Sequence, residues 1–365
     1  MTKPLISVIM PTYNHADFVT QSINSVLNQK GVDFEFLIAD DGSTDRTRDV
    51  VAAIRDERIK FFPNEVNRGA CQVTNDLIFL ASGEYIALLN SDDYWLSNNK
   101  LLKQLEVMRD KPNVGACFGK ARFVDKQGMM IDKSTLQFGN VFEQQNRSRG
   151  EWLRHFFERG NCLCHPTILI RKSCYEQIGC YDNRFRQLPD FDMWIRLLKR
   201  FDIHIIDEEM IAFRHLPGEN ASSITSTNMR RIRNELYLIM RTFYDDMPLD
   251  VFHQGFSDLL KHPEATDDLT FEIESALLYF NEKVSRTSSY VLIGLDKLHQ
   301  LLGNDENKAI LLSHYAIDHK YYFDLTSKYD WFINEGGKHA LSDFKTKNLL
   351  KELKRRFKNT IKRLY

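Results

Sequence analysis

Two apolar runs of strand length, 34–39 (Phe-Glu-Phe-Leu-Ile-Ala) and 85–89 (Tyr-Ile-Ala-Leu-Leu), end abruptly in carboxylates: Asp40-Asp41 after the first, Asn90-Ser91-Asp92-Asp93 after the second. Runs this short, rich in β-branched and aromatic residues, read as buried strands. A strand that ends in acids delivers negative charge to the carboxyl edge of a sheet, where open α/β sheets bind ligands. Hard oxygen ligands there suit Mg²⁺ or Mn²⁺ carrying a phosphate. The alternative for either run alone is a solvated turn.

The residues around these runs favour the sheet edge. Residues 5–10 make a first strand, ended by Pro11-Thr12-Tyr13-Asn14. Asn14 to Asp17 are expected to cap a helix with Phe18, Ile23, Val26 and Leu27 on its apolar face. Ser43 or Thr44 can cap a second helix carrying Val50, Val51 and Ile54. Residues 59–62 are a third strand, and Asn67-Arg68-Gly69 opens a helix through Val73, Leu77 and Leu80. This β-α alternation with short connectors predicts a parallel sheet covered by helices. Right-handed crossovers then place Asp40 and Asp92 on one edge. A dinucleotide fold fails at the first turn, which lacks G-x-G-x-x-G, and no Walker A motif is present.

At 365 residues two domains are expected. A net charge of −1 gives no global electrostatic argument for nucleic acid. No apolar run has transmembrane length, and the Met-Thr-Lys-Pro start is not a secretory signal, so a cytoplasmic location is the expectation. The cysteines then stay reduced. The Cys162-Leu163-Cys164 pair is tighter than common zinc spacings, so they read as small buried residues.

Downstream, a helix is expected over 100–108, strands over 114–118 and 121–124, a surface excursion over 127–149 and a helix over 151–157. A proline-led strand over 166–171 reads as lying near an edge or a bulge, and Ser173 with Glu176 reads as a capping box. The amphipathic helix over 190–199 carries Asp190 and Asp192 in its first turn, where acids also serve to offset the dipole. A strand pair over 203–206 and 210–213 follows. From about 226 the chain reads as helices, and 344–365 as a basic amphipathic helix suited to an anionic membrane surface, the alternatives being a helix docked on its own domain with a solvated basic face or a disordered tail.

Five motifs occur in order: Ser-Val-Ile-Met-Pro-Thr-Tyr-Asn, Ala-Asp-Asp-Gly-Ser-Thr-Asp, Asn-Arg-Gly-Ala, Gly-Glu-Tyr-Ile-Ala-Leu-Leu-Asn-Ser-Asp-Asp-Tyr-Trp and Pro-Asp-Phe-Asp-Met-Trp-Ile-Arg-Leu. Together they resemble family 2 glycosyltransferases of the GT-A fold, over roughly residues 4–220. The resemblance implies a Rossmann-like mixed sheet flanked by helices, followed by a mainly helical C-terminal region. The implied domains are a nucleotide-sugar-binding domain at 1–225, a helical domain at 226–343 and the basic helix at 344–365.

It also implies an inverting, Mn²⁺- or Mg²⁺-dependent transfer from a nucleotide-sugar, expected to be a UDP-sugar. The acceptor would be a hydroxyl of a glycan or lipid-linked molecule in cell-surface polysaccharide synthesis. Asp92 would hold the metal, with Asp93 and His215 as further candidates. Asp41, or Asp40, would accept from the base edge. Pro11 and Tyr13 would shape the base pocket, and Arg68, Asn90 and Ser91 would contact the nucleotide. Asp190 would be the catalytic base, with Asp192 as the alternative. Arg214 and His215 resemble the segment that closes the site over the diphosphate, and His165 is a candidate either for the acceptor side or for burial under the sheet.

Two departures stand out: Asn90 where the family has its first aspartate, and Pro189 where a glutamate precedes the base. They motivate the alternative of a non-catalytic nucleotide-sugar-binding scaffold. Peripheral contact with the inner face of the plasma membrane through 344–365 and a homo-oligomer complete the partner expectations.

Overall fold

The computed structural model describes residues 4–218, 223–264, 267–285 and 288–328. The first part follows the expected alternation: β1 (Ile6–Thr12), α1 (Val19–Leu27), β2 (Phe34–Asp40), α2 (Thr47–Ala53), β3 (Ile59–Pro63), α3 (Ala70–Leu80) and β4 (Tyr85–Leu88). β1 lies parallel between β2 and β4, and β3 adds to β2. β2 and β4 are buried along their whole length, which is why they read as continuous apolar runs. The pairing of Thr12 with Asp40 brings the ends of β1 and β2 level, so both acidic strand ends open on one edge.

The chain continues through β5 (Tyr94–Trp95), α4 (Lys100–Asp110), β6 (Val114–Val124), α5 (Arg149–Arg159), β7 (Leu169–Arg171), α6 (Lys172–Ile178), α7 (Pro189–Leu198) and β8 (Asp202–Arg214). The result is a mixed eight-stranded sheet in the order β3-β2-β1-β4-β7-β6-β8-β5. β7 runs antiparallel to both β4 and β6, and β5 antiparallel to β8.

Several local expectations are corrected. β7 lies in the middle of the sheet: Pro166 sits in a 3-10 turn, His165–Thr167, and the ladder begins only at Leu169. The proposed strand pairs collapse into two long strands, β6 and β8, whose mutual register shifts beside Gly119 and Lys120. The irregularity absorbs the polar Asp207-Glu208 step that looked like a turn. The capping box is formed by Ser148 and Glu151 at the start of α5 and not by Ser173, whose helix has no side-chain cap. α1 starts at Val19 without a side-chain cap, because Asn14 to Ala16 are tied across to the β2–α2 loop.

Helices α8 (Ser226–Arg241) and α9 (Leu249–Phe256) belong with the sheet. The first compact unit is Met1–Thr266 and the second starts at Asp267, so the boundary expected after residue 225 falls inside the first unit. The cause is apolar. Phe157 of α5 packs its ring on Phe243, Tyr244 and Phe256, at centroid distances of 5.3, 5.4 and 6.0 Å. Gly150 and Gly255 let α5 and α9 approach so closely that a Cβ on Gly150 would lie 2.5 Å from the Val251 carbonyl oxygen.

The second unit is helical as expected: α10 (Asp268–Leu278), α11 (Ser288–Leu301), α12 (Asp305–Tyr315) and α13 (His319–Lys328). It has its own core, including Ile273, Ala276, Leu298, Leu311 and Ile317. The basic stretch 344–365 lies outside the described residues. Among those described, no helix is long and apolar enough to cross a membrane.

Candidate active site

The loop after β4 is built around a buried arginine. Arg214, at the end of β8, is 2% exposed. Its Nε donates to the Asp92 carbonyl oxygen at 2.8 Å, one Nη to the carbonyls of Lys126 and Asp125 at 2.7 and 3.1 Å, and the other Nη to Gln21 Oε1 at 2.8 Å. Its plane lies over Phe18 and Tyr94, 4.8 and 5.6 Å from the ring centroids. Its backbone N–H donates to Asp93 Oδ1 at 2.8 Å, while Asn90 Nδ2 donates to Asp93 Oδ2 at 3.2 Å. The Ser91 hydroxyl, 1% exposed, bonds to His15 Nδ1 at 2.7 Å, and Ser22 Oγ donates to the Ser91 carbonyl. The end of β8, α1 and the loop before α1 thus converge on four residues, and a planar, always-charged fork suits the several carbonyls that Arg214 meets at once.

This arrangement revises several expected roles. Asp93 has both oxygens engaged within the protein; burial first, and then the neighbouring Asp92 charge, push its carboxyl well above the usual range. Arg214 organises the loop from behind, and Ser91 and Asn90 fix its shape. His215 donates its backbone N–H to the Val124 carbonyl and sets its ring edge-on to Phe138 at 5.4 Å. Among the described residues no group of three His, Cys, Asp or Glu side chains converges to hold a metal, so Asp92, Asp93 and His215 do not form a ligand set. A small divalent cation needs no such cage, because one or two carboxylates suffice when substrate phosphates complete the shell. Asp92, 9% exposed at the tip of this loop, fits that simpler role.

The ends of β1 and β2 form the adjoining side. Asn14, at φ +53°, donates its N–H to Ser43 Oγ and accepts from the Thr44 N–H, which stitches the two loops together. Tyr13 is 42% exposed, as a stacking platform requires, and Pro11 is half-buried beside it. Asp41 accepts from the N–H groups of Arg68 and Gly69 at 2.6 and 2.9 Å. Each carboxylate oxygen keeps a second lone pair, so Asp41 can hold this loop and accept from a base as well. Gly42 is required here: it sits at φ +74°, and a Cβ would lie 2.7 Å from the backbone of Val66 and Asn67. Asp40 is fully buried, one carboxylate oxygen accepting from Arg48 Nε at 2.8 Å and from the Ser43 N–H at 3.0 Å. The Arg68 guanidinium is paired with Asp76 at 2.6 Å.

The two acids at the start of α7 differ. Asp192 bonds Arg196 one turn on, at 2.8 Å, and Arg196 also holds the carbonyls of Ile178 and Cys180. Asp190 accepts from Asn161 Nδ2 at 2.7 Å and from the Phe191 N–H at 2.8 Å. Burial raises its carboxyl most, the two hydrogen bonds pull it back, and the Glu235 charge adds to the rise, leaving it at about 6. That is the range a general base needs near neutral pH. Burial holds the Cys164 thiol well above its usual range, and Asp93 and Asp190 add to the rise. His165 bonds the Tyr181 hydroxyl at 2.8 Å, and burial lowers it to about 4, so it stays neutral within the core.

Asn161 and Glu235 were not legible as site residues. Asn161 follows the glycine that ends α5, a position that reads as a plain C-cap. For Glu235 the sequence offers only its place one turn before Ile239 on one helix face, and the structure buries both.

Comparison with known proteins agrees with this geometry. Residues 7–178 match the family model described as glycosyl transferase family 2. The chain is 30% identical over 237 residues to the Escherichia coli UDP-Glc:alpha-D-GlcNAc-diphosphoundecaprenol beta-1,3-glucosyltransferase WfgD, spanning 64% of this chain and 85% of that one. It is 33% identical over 215 residues to TuaG of Bacillus subtilis, named as a glycosyltransferase of teichuronic acid biosynthesis, spanning 58% and 79%. In fold it resembles S. aureus TarS in complex with UDP-GlcNAc, with a TM-score of 0.53 at 19% identity over 88% of this chain and 90% of that one. The sheet, its acidic edge and these relatives agree: the chain belongs to glycosyltransferase family 2.

Proposed function

We propose that the chain transfers a sugar, with inversion, from a UDP-sugar to a hydroxyl of a glycan or lipid-linked acceptor in surface-polysaccharide synthesis. The observation that carries this reading is Asp190: half-buried, oriented by Asn161 at the start of α7, and held at about 6. WfgD is named for a UDP-glucose donor and a diphosphoundecaprenol-linked acceptor, and TarS holds UDP-GlcNAc; both support the donor class, and the first supports a lipid-linked acceptor. A lipid-linked acceptor gives the basic stretch 344–365 a role at a membrane surface.

Tyr13 stacks on the base and Asp41 accepts from its edge. Asp92 would hold a divalent cation, which when bound would supply Lewis-acid neutralisation of charge on the donor's diphosphate. Asp190 takes the proton from the acceptor hydroxyl as its oxygen bonds to the anomeric carbon. The bond from that carbon to the phosphate oxygen breaks, and its electron pair leaves on the nucleoside diphosphate. Asn161 holds Asp190 in the orientation for this transfer.

The test is nucleoside-diphosphate release from a panel of UDP-, GDP- and dTDP-sugars, with Mn²⁺ or with chelator. Chelator-sensitive release from one UDP-sugar is the expected result. Release from a GDP- or dTDP-sugar instead would overturn the donor assignment. UDP bound without release from any donor, with acceptors supplied, would replace the enzyme by the non-catalytic scaffold.

A further inference from the structure

The turn that leads into α7 is held from outside by one carboxylate. Glu235 of α8 accepts the backbone N–H of Arg186 on one oxygen at 3.0 Å, and those of Gln187 and Leu188 on the other at 2.8 and 2.9 Å. These residues lie immediately before Pro189, the first residue of α7, and Asp190 follows. Successive N–H groups aimed at one point form an anion-binding nest, and a carboxylate near a helix N-terminus is favoured by the dipole as well. Proline has no N–H of its own, so these three groups are the donors that this approach to the helix offers. Glu235 comes from a helix well beyond the stretch that matches the family model, 7–178, so nothing in that match assigns it a role.

We propose that Glu235 is a positioning residue for the catalytic base: by holding three successive N–H groups, its carboxylate fixes the turn that aims Asp190. The groups facing Asp190 can be named from each side. Asn161 comes from the segment after α5, Cys164 and Tyr181 from the segments flanking β7 and α6, and Glu235 from α8. Asp192, on α7 itself, is paired with Arg196. Glu235 is the anionic group in this set, and Cys164 and Tyr181 are both held in their neutral forms by burial. Removing the Glu235 charge therefore makes Asp190 easier to ionise.

The inference rests on the glycosyl-transfer reading, and the experiment separates the two. Glu235→Gln keeps one accepting oxygen and removes the charge; Glu235→Ala removes both. With the donor found in the panel above, Glu235→Ala is expected to lose about 100-fold in kcat and Glu235→Gln about 10-fold, with donor KM within about threefold of wild type. The acid limb of kcat/KM moves to lower pH in Glu235→Gln, a change that lost packing alone would not produce. Wild-type kcat and an unmoved acid limb in folded Glu235→Gln would overturn the proposal. If Glu235→Ala does not fold, Glu235→Gln carries the test alone. If wild type turns over no donor, the Asp190 carboxyl is followed directly by ¹³C NMR, identified by its loss in Asp190→Asn. A lower titration midpoint in Glu235→Gln then supports the clamp although the transferase reading has failed, and an unchanged midpoint overturns it.

Discussion

Asp190, half-buried, and Glu35, buried, are both partly or wholly desolvated carboxylates, and their pH signatures have opposite signs. Burial raises Asp190 from 3.8 to about 6, so the folded state resists its ionisation. Stability associated with the neutral acid is complete below pH 3.8 and lost as pH rises through about 6. The shift bounds this loss at about 3 kcal/mol, and partial exposure makes it smaller. Asp190→Asn is therefore expected to melt higher than wild type at pH 7.5, with the gap closing below pH 4, by calorimetry. For Glu35, burial alone would raise the carboxyl, but hydrogen bonds from Lys60, Ser7 and Ser82 outweigh it and bring it down to about 2. That stability is present above pH 4.5 and lost as pH falls toward 2. Glu35→Gln should cost about 2 kcal/mol at pH 7 and progressively less in acid, measured by urea unfolding. Asp192→Asn should keep turnover within about threefold, since its partner is an exposed-side arginine one turn away. At this scale the sequence placed Asp92 at a strand end and Asp190 at a helix start, because both are local patterns. It preferred Asp92 to Asp93 but could not show what occupies Asp93, since its partner is an arginine 121 residues away.

Among elements, β8 matters most to the site, because it delivers Arg214 to the loop after β4. Arg214→Met keeps apolar bulk but leaves the carbonyls of Asp92, Asp125 and Lys126 without their donor. Losing one side of such a buried network costs about 3–5 kcal/mol. The variant should unfold at correspondingly lower denaturant concentration and lose metal-dependent donor binding together with stability. The resemblance of this segment to a diphosphate-facing closure suggested an outward arginine; burial and several carbonyl acceptors turned it inward. The same limit explains β7 and β8. Pro166 looked like an edge signal because a sequence does not show that the ladder starts three residues later, and Asp207-Glu208 looked like a turn because an irregular pairing is set by the partner strand.

For the whole molecule, the helical region divides later than its composition suggests. The change from strands to helices near residue 226 is real, but α8 and α9 are part of the first unit through the Phe157 cluster, the Gly150–Gly255 contact and Glu235. A truncation at 264 should fold cooperatively, whereas one at 225 should expose Phe156, Phe157 and the α7 face and lose near-UV circular dichroism. Gly255→Ala tests the same packing in the full chain, with an expected cost of about 1–3 kcal/mol from the forced separation of α5 and α9. A boundary at 225 followed the end of the recognisable motifs, and motifs mark chemistry more faithfully than they mark cores.

The most direct test compares wild type, Asp92→Ala and Asp190→Asn for UDP binding and for UDP release from the active donor with Mn²⁺ and acceptor. Asp190→Asn should bind UDP as wild type does and lose turnover by at least about 100-fold, while Asp92→Ala should lose the metal-dependent part of both. Normal turnover in Asp190→Asn would contradict the assignment of the base and, with it, the reading of this site.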